Sequence, residues 1–61
     1  MKKYYAEVND GKAVILTPKF DSRLELLNYF VANEAWFEGK IVTFYNIVSN
    51  EDGSQRLYKG L

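Results

Sequence analysis

Neither cysteine nor histidine occurs among the 61 residues, and this constrains the fold more than any other feature. Ordering each residue costs about 1.5 kcal/mol, and the core of so short a chain barely offsets the sum. Chains of this size commonly add disulfides or a zinc site. Both routes are closed here. Aromatic bulk and self-association remain. The chain carries ten aromatic residues (one Trp, five Tyr, four Phe), and each ring can bury a large area. The aromatic excess therefore reads first as compensation for size. A single small domain over residues 1–61 is expected.

Eight Lys plus Arg balance eight Asp plus Glu. A dedicated nucleic-acid binder usually carries positive excess, because phosphate neutralisation supplies much of its affinity. Neutrality therefore ranks nucleic acid below protein as a partner. No apolar run approaches the ~20 residues of a membrane span. Residues 2–8 alternate where a secretion signal needs a continuous apolar stretch. A cytoplasmic setting fits a chain without cysteine.

Catalysis has little to build on. Acid–base work usually recruits histidine, and nucleophilic work a serine or cysteine with a base beside it. Most carboxylates sit where turns or caps explain them: Asp10, Asp21, Glu25, Glu51 and Asp52. The four glycines read as turn residues or a chain end rather than a phosphate loop. The acidic Glu51-Asp52 loop lacks the ligand spacing of a calcium loop. The expectation is a non-enzyme with no catalytic residues, no metal and no cofactor.

The chain reads as strand, strand, helix, strand, strand. Residues 2–8 alternate and are aromatic-rich. Asn9-Asp10-Gly11-Lys12 then predicts a tight type I′ hairpin, which needs positive φ at both central residues. Ala13 to Thr17 is the return strand, ended by Pro18. Ser22-Arg23-Leu24-Glu25 is a capping box, with Asp21 as the alternative cap. Leu24, Leu27, Val31 and Ala35 form one helical stripe, widened by Leu26 and Phe30. The helix is expected to stop near Asn33 in a left-handed cap, with Gly39 the alternative stop. Residues 40–49 are β-branched and aromatic throughout and form the strongest strand. Asn50 to Ser54 is a hairpin loop, and residues 55–59 the last strand, with Leu57 its best core residue.

These elements predict an α+β fold: a four-stranded antiparallel sheet in order 2-1-3-4, with one helix on one face. A right-handed crossover and uncrossed connections favour that order. Strands two and four become edges, where lysines guard against sheet-to-sheet pairing.

One face of such a sheet has no helix to cover it, and the alternation along the strands leaves large side chains there whichever register holds. Tyr5, Tyr45 and Tyr58 are expected on the open face as partner-binding residues. Trp36 and Phe37, between helix and third strand, are either interface anchors or a plug closing one end of the core. A symmetric homodimer, formed by pairing edges or stacking faces, is a second route to covering these surfaces.

Residues 2–8 with the acidic turn after them resemble the start of HicB-type antitoxins, and also the opening strand of small phage inhibitors of host RNA polymerase. Each resemblance covers under a dozen residues and carries none of either family's functional residues onto this chain. Size, composition and an apolar sheet face together imply a non-catalytic protein-binding domain, similar to the small inhibitors that phages and mobile elements direct at larger proteins. A nucleic-acid-binding module using sheet tyrosines with Lys2, Lys3, Arg56 and Lys59 is the second expectation.

Overall fold

The computed structural model describes residues 2–60. Its elements are β1 (Tyr4–Asn9), β2 (Val14–Leu16), α1 (Arg23–Ala32), α2 (Glu34–Phe37), β3 (Ile41–Ser49) and β4 (Gln55–Lys59). The strands form one antiparallel sheet in order β2-β1-β3-β4. This is the expected α+β arrangement, with one main helix. None of the described helices is long and apolar enough to cross a membrane.

The first hairpin differs from expectation. Within this loop Gly11 alone takes positive φ (93°), and among the described residues no non-glycine residue does. The loop is therefore not type I′. The Asp10 carboxylate organises it instead, accepting from the backbone N–H of Lys12 (2.8 Å) and of Ala13 (2.9 Å). A side chain that satisfies two loop donors lets the connection open to four residues, 10–13. Beyond β2, Thr17 keeps the chain on β1. Its N–H donates to the Ala6 carbonyl and its Oγ1 accepts from the Ala6 N–H, each at 2.9 Å. Phe20 then bridges to Tyr4. The chain thus follows β1 past Pro18 before α1 begins.

Ser22 caps α1, its Oγ accepting from the Glu25 N–H at 3.2 Å. The reciprocal bond is shifted by one residue: Glu25 Oε2 accepts from Asp21, not Ser22, at 3.0 Å. Both expected stops are used. α1 ends at Asn33, but with φ −119° rather than a left-handed cap. The Asn33 amide donates to the Tyr29 carbonyl (2.8 Å), which removes the need for positive φ. Gly39 (φ 78°) closes α2.

The core corrects the reading of the helix. Leu24, Leu27, Val31 and Ala35 all face solvent, with Leu24 66% and Val31 64% exposed. The inward arc is Leu26, Tyr29 and Phe30, with Leu26 only 1% exposed. At about 100° per residue the two arcs lie on roughly opposite sides of the helix. The aromatic arc faces the sheet because Ala6 and Val8, both fully buried, leave room for rings above β1. Phe30 meets Phe44 (5.6 Å between centroids) and Phe37 (4.8 Å), while Tyr29 meets Phe20 (5.3 Å). Leu57 is not core: it is 54% exposed, as β4 is throughout.

Candidate functional site

Strand register decides which side chains share the open face. Cross-strand partners point to the same side. Ala6, Val8, Val42 and Phe44 form the helix-covered face. The opposite face is then built of four rows. Lys3, Ile47 and Leu57 make one. Tyr5, Tyr45 and Lys59 make the next. Leu16, Glu7 and Thr43 follow, then Val14, Asn9 and Ile41. No element among the described residues covers these rows. Ile41 is 71% exposed, Leu16 59% and Val14 55%.

The Tyr5 and Tyr45 rings stack at the centre, with centroids 5.4 Å apart and planes 22° from parallel. The Tyr45 hydroxyl donates to Glu7 Oε2 at 2.9 Å. That bond favours the neutral phenol and raises the Tyr45 pKa above the ordinary tyrosine value, with desolvation and the Glu7 charge adding to it. The bond also holds the stack in place. Lys19 brings its ammonium within 5.9 Å of the Tyr5 centroid, a weak cation–π contact at an exposed site. The face is thus an aromatic centre with aliphatic flanks, bordered by Lys3, Lys19 and Lys59.

Of the five residues expected to bind a partner, the fold brings only Tyr5 and Tyr45 together on the open face. Tyr58 pairs with Asn46 and so lies on the helix side of the sheet, a correction to its expected place. Strand parity opposes Tyr58 to Lys59, and Lys59 is the residue opposite Tyr45. The Arg56 guanidinium sits 5.2 Å from the Tyr58 ring. Trp36 and Phe37 divide. Phe37 is 4% exposed and plugs the core, with no surface to offer a partner. Trp36 is 43% exposed, packs edge-on against Phe37 and lies under the Lys40 ammonium at 3.9 Å. Val14, Leu16 and Leu57 were not singled out in the sequence as binding residues. Counting outward by twos from Tyr5 and Tyr45 finds Ile41 and Ile47, but Val14, Leu16 and Leu57 lie on β2 and β4, whose facing is set by cross-strand register.

The acidic turns are structural. Asp10 has a lowered pKa because the Ala13 and Lys12 N–H groups stabilise its charged form. Asp52 is lowered by Ser54, whose hydroxyl and N–H both donate to it. Among the described residues, no group of three or more acidic, histidine or cysteine side chains could hold a metal ion. No family model matches the chain, and no curated protein or solved structure matches it.

Proposed function

We propose that the chain is a small, non-catalytic protein-binding domain that docks through its open sheet face, in the manner of the small inhibitors that phages and mobile elements direct at larger proteins. One observation carries the reading. A stacked tyrosine pair sits on a sheet face that also presents Val14, Leu16, Ile41 and Leu57, all more than half exposed, and that no element of the described fold covers. Exposed apolar surface of this kind marks interaction sites. Tyrosine suits such a centre because it offers a large rigid ring at little entropic cost and keeps its hydroxyl bonded. A cytoplasmic setting fits the absence of cysteine.

A second reading rests on Lys3, Lys19 and Lys59 around the same stack. Basic side chains beside exposed rings can hold single-stranded nucleic acid. The zero net charge weighs against it.

Affinity capture on the immobilised chain, with and without nuclease, tests the two. The protein reading expects a nuclease-resistant partner that Tyr5→Ala and Tyr45→Ala weaken by about 1–3 kcal/mol each. Tyr58→Ala, on the other face, should leave capture unchanged. The interaction should change little between ~50 and ~200 mM salt, the range over which phosphate binders weaken by orders of magnitude. Nuclease-sensitive capture that falls steeply with salt would overturn the protein reading.

A further inference from the structure

Two surfaces lie outside that reading. The first is the outer arc of α1, where Leu24 and Val31 are about two-thirds exposed and Leu27 is 40% exposed. A helix apolar on both sides is ordinarily buried on both sides. The second is the helix side of the sheet over β3 and β4. Four strands at about 4.8 Å spacing make a face roughly twice as wide as one helix of about 10 Å diameter. α1 lies over β1 and reaches β3 through the Phe30–Phe44 contact. Every residue of β4 is exposed, and Tyr58 and Arg56 stand on the half that α1 leaves bare.

We propose that a second copy of this chain fills that half, in a twofold dimer layered as sheet, paired helices, sheet. Each α1 would pack its inner arc on its own sheet and its outer arc on the partner's β3–β4 half. An axis parallel to the helices, midway between them, generates this arrangement. It buries both apolar arcs at once and leaves both open tyrosine faces outward.

Charge supports the same pairing. Residues 21–38 carry one cation (Arg23) against four anions (Asp21, Glu25, Glu34, Glu38), a net of −3, and Arg56 is the one charged residue of β3 and β4 on the side of the sheet that the helix covers. Phe20, Tyr4, Asn46 and Tyr58 share one cross-strand row, and α1 starts just beyond Phe20. The twofold therefore sets the acidic first turn of one helix at the level of Arg56 on the other copy. Stacking through the open faces would instead bring Lys3 and Lys59 of each copy together against only Glu7.

Sedimentation equilibrium at roughly 100 μM, where mass action favours any real dimer, should give twice the 7.1 kDa chain mass. Leu27→Glu and Val31→Lys should weaken association by at least roughly 100-fold, because each buries an unpaired charge. Leu16→Lys, on the open face, should leave the dimer intact. The cysteine-free sequence allows a direct check that does not depend on the charged variants folding. Leu27→Cys copies mixed with Tyr58→Cys copies should cross-link on oxidation, and Leu16→Cys copies with Tyr58→Cys copies should not. A wild-type monomer at that concentration overturns the dimer. So does a dimer that survives Val31→Lys but dissolves with Leu16→Lys, or a cross-link only in the Leu16→Cys mixture. None of these readouts involves a ligand of the open face, so a monomer leaves the reading of Tyr5 and Tyr45 standing.

Discussion

Asp10 shows how much one side chain can decide. Its carboxylate accepts two loop N–H groups, so its folded pKa lies below its unfolded value. Such a group stabilises the fold above the unfolded pKa and loses that contribution as pH falls through the folded one. The gap in Tm between wild type and Asp10→Ala should therefore be widest near neutrality and narrow as pH drops below about 4. Tyr45 works in the other direction. Its raised pKa gives stability at ordinary pH that is lost when strong alkali ionises the phenol. Gly11 is a purely conformational case. Nothing lies within 4 Å of a Cβ added there, yet φ is +93°. Gly11→Val should cost about 1–2 kcal/mol through backbone strain alone, read as a drop in urea midpoint at unchanged slope. Asn46 goes against the rule that buried polar atoms are paired: its Oδ1 is buried without a hydrogen-bond partner among the described residues.

At the scale of elements, α1 is where local signals and packing part. Its start is a local matter, settled by Ser22, Glu25 and their backbone partners. Ser22→Ala should cost about 1 kcal/mol, visible in a thermal melt. Its facing is not local. Both arcs of the helix are apolar, so periodicity alone does not say which meets the sheet. Leu26 is buried and Leu24 is not. Leu26→Ala should therefore lower stability by about 2–5 kcal/mol. Leu24→Ala should cost far less in a monomer, and a comparable loss would show that its arc is covered. β4 is the weakest element of the fold. It pairs only with β3 and buries none of its residues. Its amides should exchange hydrogen faster than those of β1, which is paired on both sides and fully buried at Ala6 and Val8.

The whole molecule is more open than its length requires. A folded monomer of 7.1 kDa exposes about 4,100 Å², against 4486 Å² here. Its radius of gyration is 12.4 Å, where about 10.5 Å is usual for 61 residues. Among the described residues only Ala6, Val8, Leu26 and Phe37 make up the buried apolar core, while 48% of the chain is hydrophobic. A core of four residues, without disulfide or metal, leaves little margin. Stability should therefore depend on association. The Tm should rise with protein concentration, as it does when a dimer forms only from folded chains. A Tm constant across a hundredfold range of concentration would mean that the monomer stands alone.

The strands, their order and the helix start were legible in the sequence because each depends on neighbours a few residues apart. Alternation marks the strands, Ser22 to Glu25 marks the cap, and short uncrossed connections leave few topologies for five elements. The open face was half legible. Tyr5 and Tyr45 follow from their strands, but Tyr58 depends on where β4 pairs, and a shift of one residue turns every side chain over. The helix facing and the separate fates of Trp36 and Phe37 were decided only in three dimensions. Each turns on volume. Ala6 and Val8 leave room above β1 for Leu26 and the rings of its arc, and Phe37 packs against Tyr29 and Phe30 while Trp36 stays 43% exposed. A linear pattern records which residues are apolar. Which of them are buried depends on how much room the opposite layer leaves, and that is a property of the assembled fold.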